Sequence, residues 1–111
     1  MFSKKQKKEE LPQEPFERTV ALIGNKWRLL ILKTLMSRTM PWHLTELTNA
    51  IKGIDQTVLK VTLESMHKDG LVIIETFRDL PPRIEFSISE QGETLRPIIE
   101  AMETWGETYG H

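Results

Sequence analysis

Apolar residues near the start of the chain recur with the spacing of an α-helix. Phe16, Val20 and Ile23 follow Pro15 at helical intervals, and proline is common at the first position of a helix. This pattern predicts a short first helix that ends at Gly24.

A second helix is predicted to begin after Asn25, a good N-cap residue, and to run to about Met36. Its apolar residues cover most of the helix circumference; they are Trp27, Leu30, Ile31, Leu32 and Leu35. A helix with so small a polar face is expected at the centre of the core.

Two further helices are predicted downstream, over residues 45–51 and from 56 to about 69. The longer one begins after the N-cap residue Asp55. Its Leu59, Leu63 and Met66 recur at i, i+4 and i+7, which predicts a buried stripe along one face. Gly70 is a suitable stop for this helix.

Two later segments, LVIIETF and RIEFSIS, are rich in β-branched and aromatic residues and predict an antiparallel hairpin. In the second segment, Ile84, Phe86 and Ile88 alternate with polar residues. The connecting RDLPPR contains two prolines, which remove N–H donors and fix φ, so the tip is expected to be stiff and to project. A very short strand between residues 37 and 42 would make the sheet three-stranded instead of two-stranded.

The final helix is predicted to begin after Ser89, to run to about Tyr109 and to be kinked at Pro97. It carries an apolar stripe formed by Leu95, Ile98, Ile99, Met102, Trp105 and Tyr109. Such a stripe is more than a small domain is expected to cover alone, which predicts a dimer interface. The alternative is that the stripe closes the domain's own core.

With 111 residues, the chain is expected to hold one domain over residues 15–111, preceded by a disordered, lysine- and glutamate-rich arm over residues 1–14. The formal net charge is −1, but residues 1–42 carry nine Lys/Arg against four Asp/Glu, and residues 90–111 carry one Arg against five Glu. This gradient could orient the protein on a polyanion or could be without function.

The composition disfavours several classes of function. The chain has no cysteine, and its three histidines are too scattered for a metal cluster. No nucleophile with a positioned base, no phosphate-binding glycine loop and no paired carboxylates are recognisable, so we expect neither an enzyme nor a cofactor. The longest apolar run, LLIL, is far too short to span a bilayer, and the N-terminus has no apolar signal segment, so a cytoplasmic protein is expected.

Three helices followed by a hairpin, with a glycine-containing turn between a short helix and a longer capped one, is the element order of a winged helix-turn-helix. The predicted fold is therefore α+β and mainly helical, with the hairpin as the wing. In this interpretation the helix after Asp55 enters a DNA groove, and Arg78 and Arg83 at the wing tip lie against the sugar-phosphate backbone. The alternative is a hairpin that only covers the core.

The segments LIGNKWRLLIL, LTELTNAIKGI, VLKVTLESMHKDGLV, LPPRIEFSIS and EQGETLRPIIEAMETWG resemble the HxlR-type winged-helix transcriptional regulators of bacteria. The resemblance covers residues 15 to about 106. It implies a homodimer in which the first helix, with Phe16, and the last helix pack against those of a second protomer. Each protomer would present a recognition helix and a wing to one half of a pseudo-palindromic site on double-stranded DNA.

This sequence departs from the family pattern in two respects. Many members carry a sensor cysteine where this chain has Glu14, so thiol-based sensing is not expected, and any small-molecule effector stays unidentified. Members often have Ser, Lys, and Arg or Lys where this chain has Asp55, Thr57 and Glu64, and an Arg where it has His43. Fewer cations predict DNA binding that is weaker and less dependent on salt.

Two interpretations of the recognition helix remain open. In the first, its outer face binds DNA, with Gln56 or Thr57 on base edges or phosphate, Lys60 on phosphate or guanine, Val61 on a thymine methyl and Glu64 on a cytosine amino group. Further candidate contacts lie elsewhere: His43, Thr45, Lys26 and Arg28. In the second, the dimer has lost DNA binding and serves as a protein-interaction module, because the acidic residues of this helix repel phosphates.

Overall fold

The computed structural model describes residues 14–111, so the predicted arm lies outside the described residues except for its last one. The elements in chain order are α1 Pro15–Ile23, α2 Lys26–Met36, α3 Leu44–Ala50, α4 Gln56–Lys68, β1 Val72–Phe77, β2 Arg83–Ile88, α5 Glu90–Glu93 and α6 Arg96–Tyr109. This order confirms the predicted winged helix-turn-helix, in which α3 and α4 form the helix-turn-helix and β1 and β2 form the wing.

Helix α2 forms the centre of the core, as its composition predicts. Its Ile31, Leu32 and Leu35 are at most 1% exposed. The helix begins where the Asn25 side chain accepts a hydrogen bond from the Arg28 N–H. It packs against α3, α4, α6 and β2, so both halves of the helix-turn-helix rest on one rigid support.

Helix α4 has the predicted cap, buried stripe and stop. The Asp55 carboxylate accepts hydrogen bonds from the N–H groups of Thr57 and Val58, which satisfies two backbone donors at the start of the helix. Leu59, Leu63 and Met66 are fully buried. Gly70, with φ of +83°, ends the helix in a conformation that residues with a side chain rarely adopt. The core stripe thereby fixes which side chains of α4 point outward.

The wing is tied directly to the helix-turn-helix. Strands β1 and β2 pair antiparallel, with Ile74 opposite Phe86. Trp42 adds a one-residue bridge to Phe86 through two backbone hydrogen bonds of 2.8 Å, which is the predicted very short strand. Because Trp42 immediately precedes the N-cap of α3, the wing is anchored beside the start of that helix.

The end of the chain corrects the prediction of one kinked final helix. Helix α5 closes in a turn at Thr94 and Leu95, and α6 begins at Arg96. Pro97 is therefore in the first turn of α6, where its missing N–H costs nothing, and does not kink a continuous helix. A Cβ at Gly92 would lie 2.4 Å from the Leu71 carbonyl oxygen, so glycine permits the close approach of α5 to the start of β1.

The start of α3 is also one residue earlier than predicted. The helix begins at Leu44 because the Glu46 carboxylate accepts a hydrogen bond from the His43 N–H, at 2.9 Å, which makes His43 the N-cap. The predicted first residue, Thr45, therefore lies within the first turn.

Candidate nucleic-acid interface

The outer face of α4 is the largest group of predicted DNA contacts that the fold brings together. Gln56, Thr57, Lys60, Val61 and Glu64 are all exposed. The last four point outward from the buried stripe, and Gln56 extends this face from the first turn, at the edge of the stripe. Val61 is 60% exposed, which is high for a valine in the middle of a helix. This face combines an amide, a hydroxyl, an ammonium, a carboxylate and an apolar group, which together can contact every type of base edge in a major groove.

The start of α3 presents His43 between two carboxylates. Its Nδ1 lies 3.5 Å from Glu46 Oε1 and its Nε2 lies 3.7 Å from Glu85 Oε2. Hydrogen bonds from the His43 N–H and from Arg38, the latter at 2.8 Å, hold the pKa of the Glu46 carboxyl below its usual value. His43 and the neighbouring Thr45 are both exposed. His43 therefore lies between α3 and the wing, since Glu85 belongs to β2.

In the wing, the predicted phosphate contact Arg83 is held by two carboxylates. Its guanidinium donates to Asp79 Oδ2 and to Glu85 Oε2, both at 2.6 Å, and lies 4.1 Å from the centroid of the Phe77 ring. The hydrogen bond to Asp79 raises the pKa of the guanidinium. Arg78 is exposed and has no ion pair within residues 14–111. Asp79 was not among the predicted site residues, although it lies only four residues before Arg83 in the sequence.

Arg28 holds the fold together and is not an open cation on the surface. It donates to the Leu22 carbonyl at 2.8 Å and to the Ser65 hydroxyl at 2.6 Å, and it forms a 2.8 Å ion pair with Asp69. Its side chain is only 12% exposed. Arg28 thus ties the start of α2 to the far end of α4, which explains how that end of the recognition helix is fixed.

Lys26 is placed differently from the other predicted contacts. It is exposed at the start of α2, and its Nζ lies 4.7 Å from the centroid of the Trp27 ring. Because a cation and an aromatic face attract each other, the ring holds this ammonium close to the surface of α2.

A second candidate surface runs along the outside of α6. Ile98, Met102, Trp105 and Tyr109 are 40–64% exposed and recur at i, i+4, i+7 and i+11, so they form one stripe. The rings of Trp105 and Tyr109 are 5.3 Å apart. We call these four residues the α6 stripe. Its exposure leaves a continuous apolar surface without a covering element in the part of the chain that the structure describes.

The other residues predicted for a dimer interface divide into two groups. Phe16 on α1 is 76% exposed, like the α6 stripe. Ile99, in contrast, is buried in the core of the protomer, and Leu95 packs against that core. The side chains of Ile99 and Leu95 are therefore used mainly inside one protomer, where they fix α6 against α2.

Within residues 14–111, no group of His, Cys, Asp and Glu is arranged to hold a metal ion. Among the same residues, no helix is both long and apolar enough to cross a membrane.

Comparison with known proteins identifies relatives with the same elements. The HxlR-like helix-turn-helix family matches residues 22–111. The HTH-type transcriptional regulator YkvN of Bacillus subtilis is 38% identical over 94 residues, which cover 85% of this chain and 78% of YkvN. The HTH-type transcriptional regulator YdeP of the same organism is 34% identical over 95 residues, which cover 86% of this chain and 73% of YdeP. The solved structure of the redox regulator HypR in its reduced form superposes with a TM-score of 0.79 at 32% identity, over 86% of this chain and 92% of HypR.

The match thus includes the helix-turn-helix, the wing and α6, and it extends over most of the chain. Relatives above 30% identity carry the description of transcriptional regulators. The chain therefore belongs to the HxlR-like helix-turn-helix family of transcriptional regulators.

Proposed function

We propose that this regulator binds a pseudo-palindromic site on double-stranded DNA as a homodimer, with α4 of each protomer in a major groove. The observation that carries the proposal is the outer face of α4, whose side chains are all exposed while the opposite face closes the core. A helix fixed in this way presents its outward side chains without further rearrangement, which favours readout of base edges.

The chemistry of α4 suggests short-range recognition with little electrostatic attraction. Lys60 suits a phosphate or a guanine, Val61 suits a thymine methyl, Glu64 suits a cytosine amino group, and Gln56 or Thr57 suits a base edge or a phosphate. Lys60 has no ion pair within the described residues and can turn toward DNA. Exposed Arg78 is the wing cation that is most available for phosphate contact.

The α6 stripe supports the homodimer. A stripe of two aliphatic and two aromatic side chains, with Phe16 also exposed on α1, is costly to leave in water and suits a self-complementary contact. Pairing through these helices would place two copies of α4 on one duplex, as a pseudo-palindromic site requires.

The proposed regulator acts without a thiol switch. HypR is described as a redox regulator, but this sequence contains no cysteine. A signal that reaches this protein must therefore act through a different chemistry, such as a bound molecule, a partner or the protein concentration.

DNA binding is tested by fluorescence anisotropy of labelled duplexes from low to physiological salt, first with random sequence and then with selected pools. We expect micromolar binding to random DNA that weakens with salt, and enrichment of a pseudo-palindrome in the selected pools. Absence of binding even at low salt would overturn the proposal.

The homodimer is tested by sedimentation with two variants that place an arginine on opposite sides of α6. Trp105→Arg places a cation in the α6 stripe, whereas Glu107→Arg lies about 200° away around the helix. We expect the wild type and Glu107→Arg to be dimeric at micromolar concentration and Trp105→Arg to dissociate at least tenfold more readily. A monomeric wild type, or equal behaviour of both variants, would refute this interface.

A second candidate function is a winged-helix dimer that binds a protein and no longer binds DNA. The observation that favours it is the pairing of Arg28 and Arg83 with carboxylates of their own chain, which leaves fewer cations for phosphate. The anisotropy experiment separates the two candidates, since this second function predicts no binding to any duplex at low salt.

A further inference from the structure

A cavity of about 430 Å³ lies between α2 and the end of α3. Its apolar walls include Leu30, Ile51 and the Trp42 ring, and its mouth includes Ala50 and Lys52. This volume is within the range of small-molecule sites, about 300–1,000 Å³. The cavity is separate from the outer face of α4 and from the α6 stripe, because it shares none of their residues.

The charged residues that line the cavity are all positive. They are Lys33 and Lys52, and no Asp or Glu is among the described residues that line the cavity. Lys52 has no ion pair within residues 14–111. Lys33 is 3.6 Å from Glu103, but both side chains are about half exposed, so this ion pair is weak and the ammonium can turn to another anion.

Trp42 adds an unsatisfied donor to this region. The ring is 9% exposed, and its indole N–H is buried without a hydrogen-bond partner among the described residues. Because this N–H is buried, it does not reach the cavity. Two cations and apolar walls together favour a ligand with an anionic group on an apolar body.

We propose that this cavity is an effector site for a small aromatic carboxylate. The carboxylate lies between Lys52 and Lys33, and the aromatic body packs between Leu30, Ile51 and Trp42. An ammonium-carboxylate contact supplies orientation, whereas burial of the ring supplies most of the affinity.

The position of the cavity connects it to the proposed DNA surface. Ile51 and Lys52 lead directly into the turn before Asp55, the N-cap of α4. Lys33 also contacts Glu103 on α6, so a ligand that attracts Lys33 competes with that helix. A bound carboxylate thus acts on both elements that set the position of α4 in the proposed dimer, and it is expected to change the affinity for DNA.

Direct binding is measured by equilibrium dialysis of the full chain with 1-naphthoate, using neutral 1-naphthalenemethanol as the matched control. For a probe of this size we expect a Kd between about 0.1 and 1 mM for naphthoate and weaker binding of the alcohol. Absence of naphthoate binding at 1 mM, or equal binding of acid and alcohol, would overturn the proposal.

Two pairs of variants locate the site. Lys52→Gln removes the charge at the mouth and should weaken naphthoate binding about five- to tenfold, whereas Lys68→Gln, an exposed lysine outside the cavity, should not. Ala50→Phe should fill the mouth and abolish binding, while Asn49→Phe, at the adjacent exposed position, should leave binding unchanged. Equal effects within either pair would place the bound probe elsewhere and refute the assignment.

The regulatory role is tested by DNA anisotropy with and without saturating naphthoate. A change in the Kd for DNA that occurs in the wild type and is absent in Lys52→Gln is the expected result. Unchanged DNA affinity would refute the effector role. Failure of the wild type to bind DNA without naphthoate would instead count against the proposed function, and the dialysis would still decide whether the cavity binds the carboxylate.

Discussion

The contact of Arg28 with α4 makes a prediction about stability that the structure allows us to quantify. In Arg28→Ala, the half-buried Leu22 carbonyl loses its donor, Ser65 loses its partner, and the carboxylate of Asp69 loses its cation. The unsatisfied carbonyl contributes about 1–2 kcal/mol, and the ion pair about 1 kcal/mol, because Asp69 is 40% exposed and stays hydrated. The expected loss of stability is about 2–3 kcal/mol.

Urea denaturation at a fixed protein concentration measures this loss. With a slope of about 1–3 kcal/mol/M for a small domain, the unfolding midpoint should fall by about 0.7–3 M. Lys26→Ala is the matched control, since it removes an exposed cation two residues earlier on the same helix. Its midpoint should stay close to that of the wild type. If Arg28→Ala is no less stable than Lys26→Ala, the assignment of Arg28 as the residue that fixes the end of α4 is wrong.

Three further predictions concern DNA binding and pH. Arg78→Gln should reduce the slope of log K for DNA binding against log salt by about one unit. Arg83→Gln should change this slope less, because the Arg83 guanidinium already pairs with carboxylates. Equal changes of slope in the two variants would contradict this prediction. Lys60→Ala and Glu64→Ala should each reorder the preference among selected sites, and an unchanged ranking in sequencing of bound pools would exclude base contact. Because hydrogen bonds lower the pKa of Glu46 below 4.5 in the folded state, its carboxylate stabilises the fold above pH 4.5 and loses this effect as the pH falls through its lowered pKa. Glu46→Gln should therefore show a smaller loss of stability in urea titrations between pH 5 and 3, and a loss as steep as in the wild type would refute that contribution.

The elements that the sequence predicts correctly are those with local causes. The cap at Asp55, the stop at Gly70 and the spacing of Leu59, Leu63 and Met66 all act within a few turns of one helix. They determine α4 and its outer face without information on the rest of the chain. The same holds for the alternation in β2, which predicts the wing.

The features that the sequence analysis missed depend on residues that are distant in the chain. Arg28 and Asp69 meet only because α2 and α4 cross, and His43 approaches Glu85 only because β2 pairs with Trp42. The approach of α5 to the Leu71 carbonyl, which leaves no room for a side chain at position 92, likewise joins distant parts of the chain. Spacing along one helix carries no information on such contacts.

The partners of the cations bear on how the proposed dimer would select its DNA site, given a net charge of −1. Arg28, Arg83 and Arg96 all have carboxylate partners within their own chain, so long-range attraction to DNA is expected to be small. Non-specific binding, which depends on released counterions, is then weak. In the proposed dimer, selectivity instead comes from short-range contacts of the outer face of α4. Each half-site then contributes modest affinity, and the two half-sites bind tightly only when both are engaged at once. On this reasoning, loss of the α6 stripe should reduce DNA affinity more than loss of any single contact on α4.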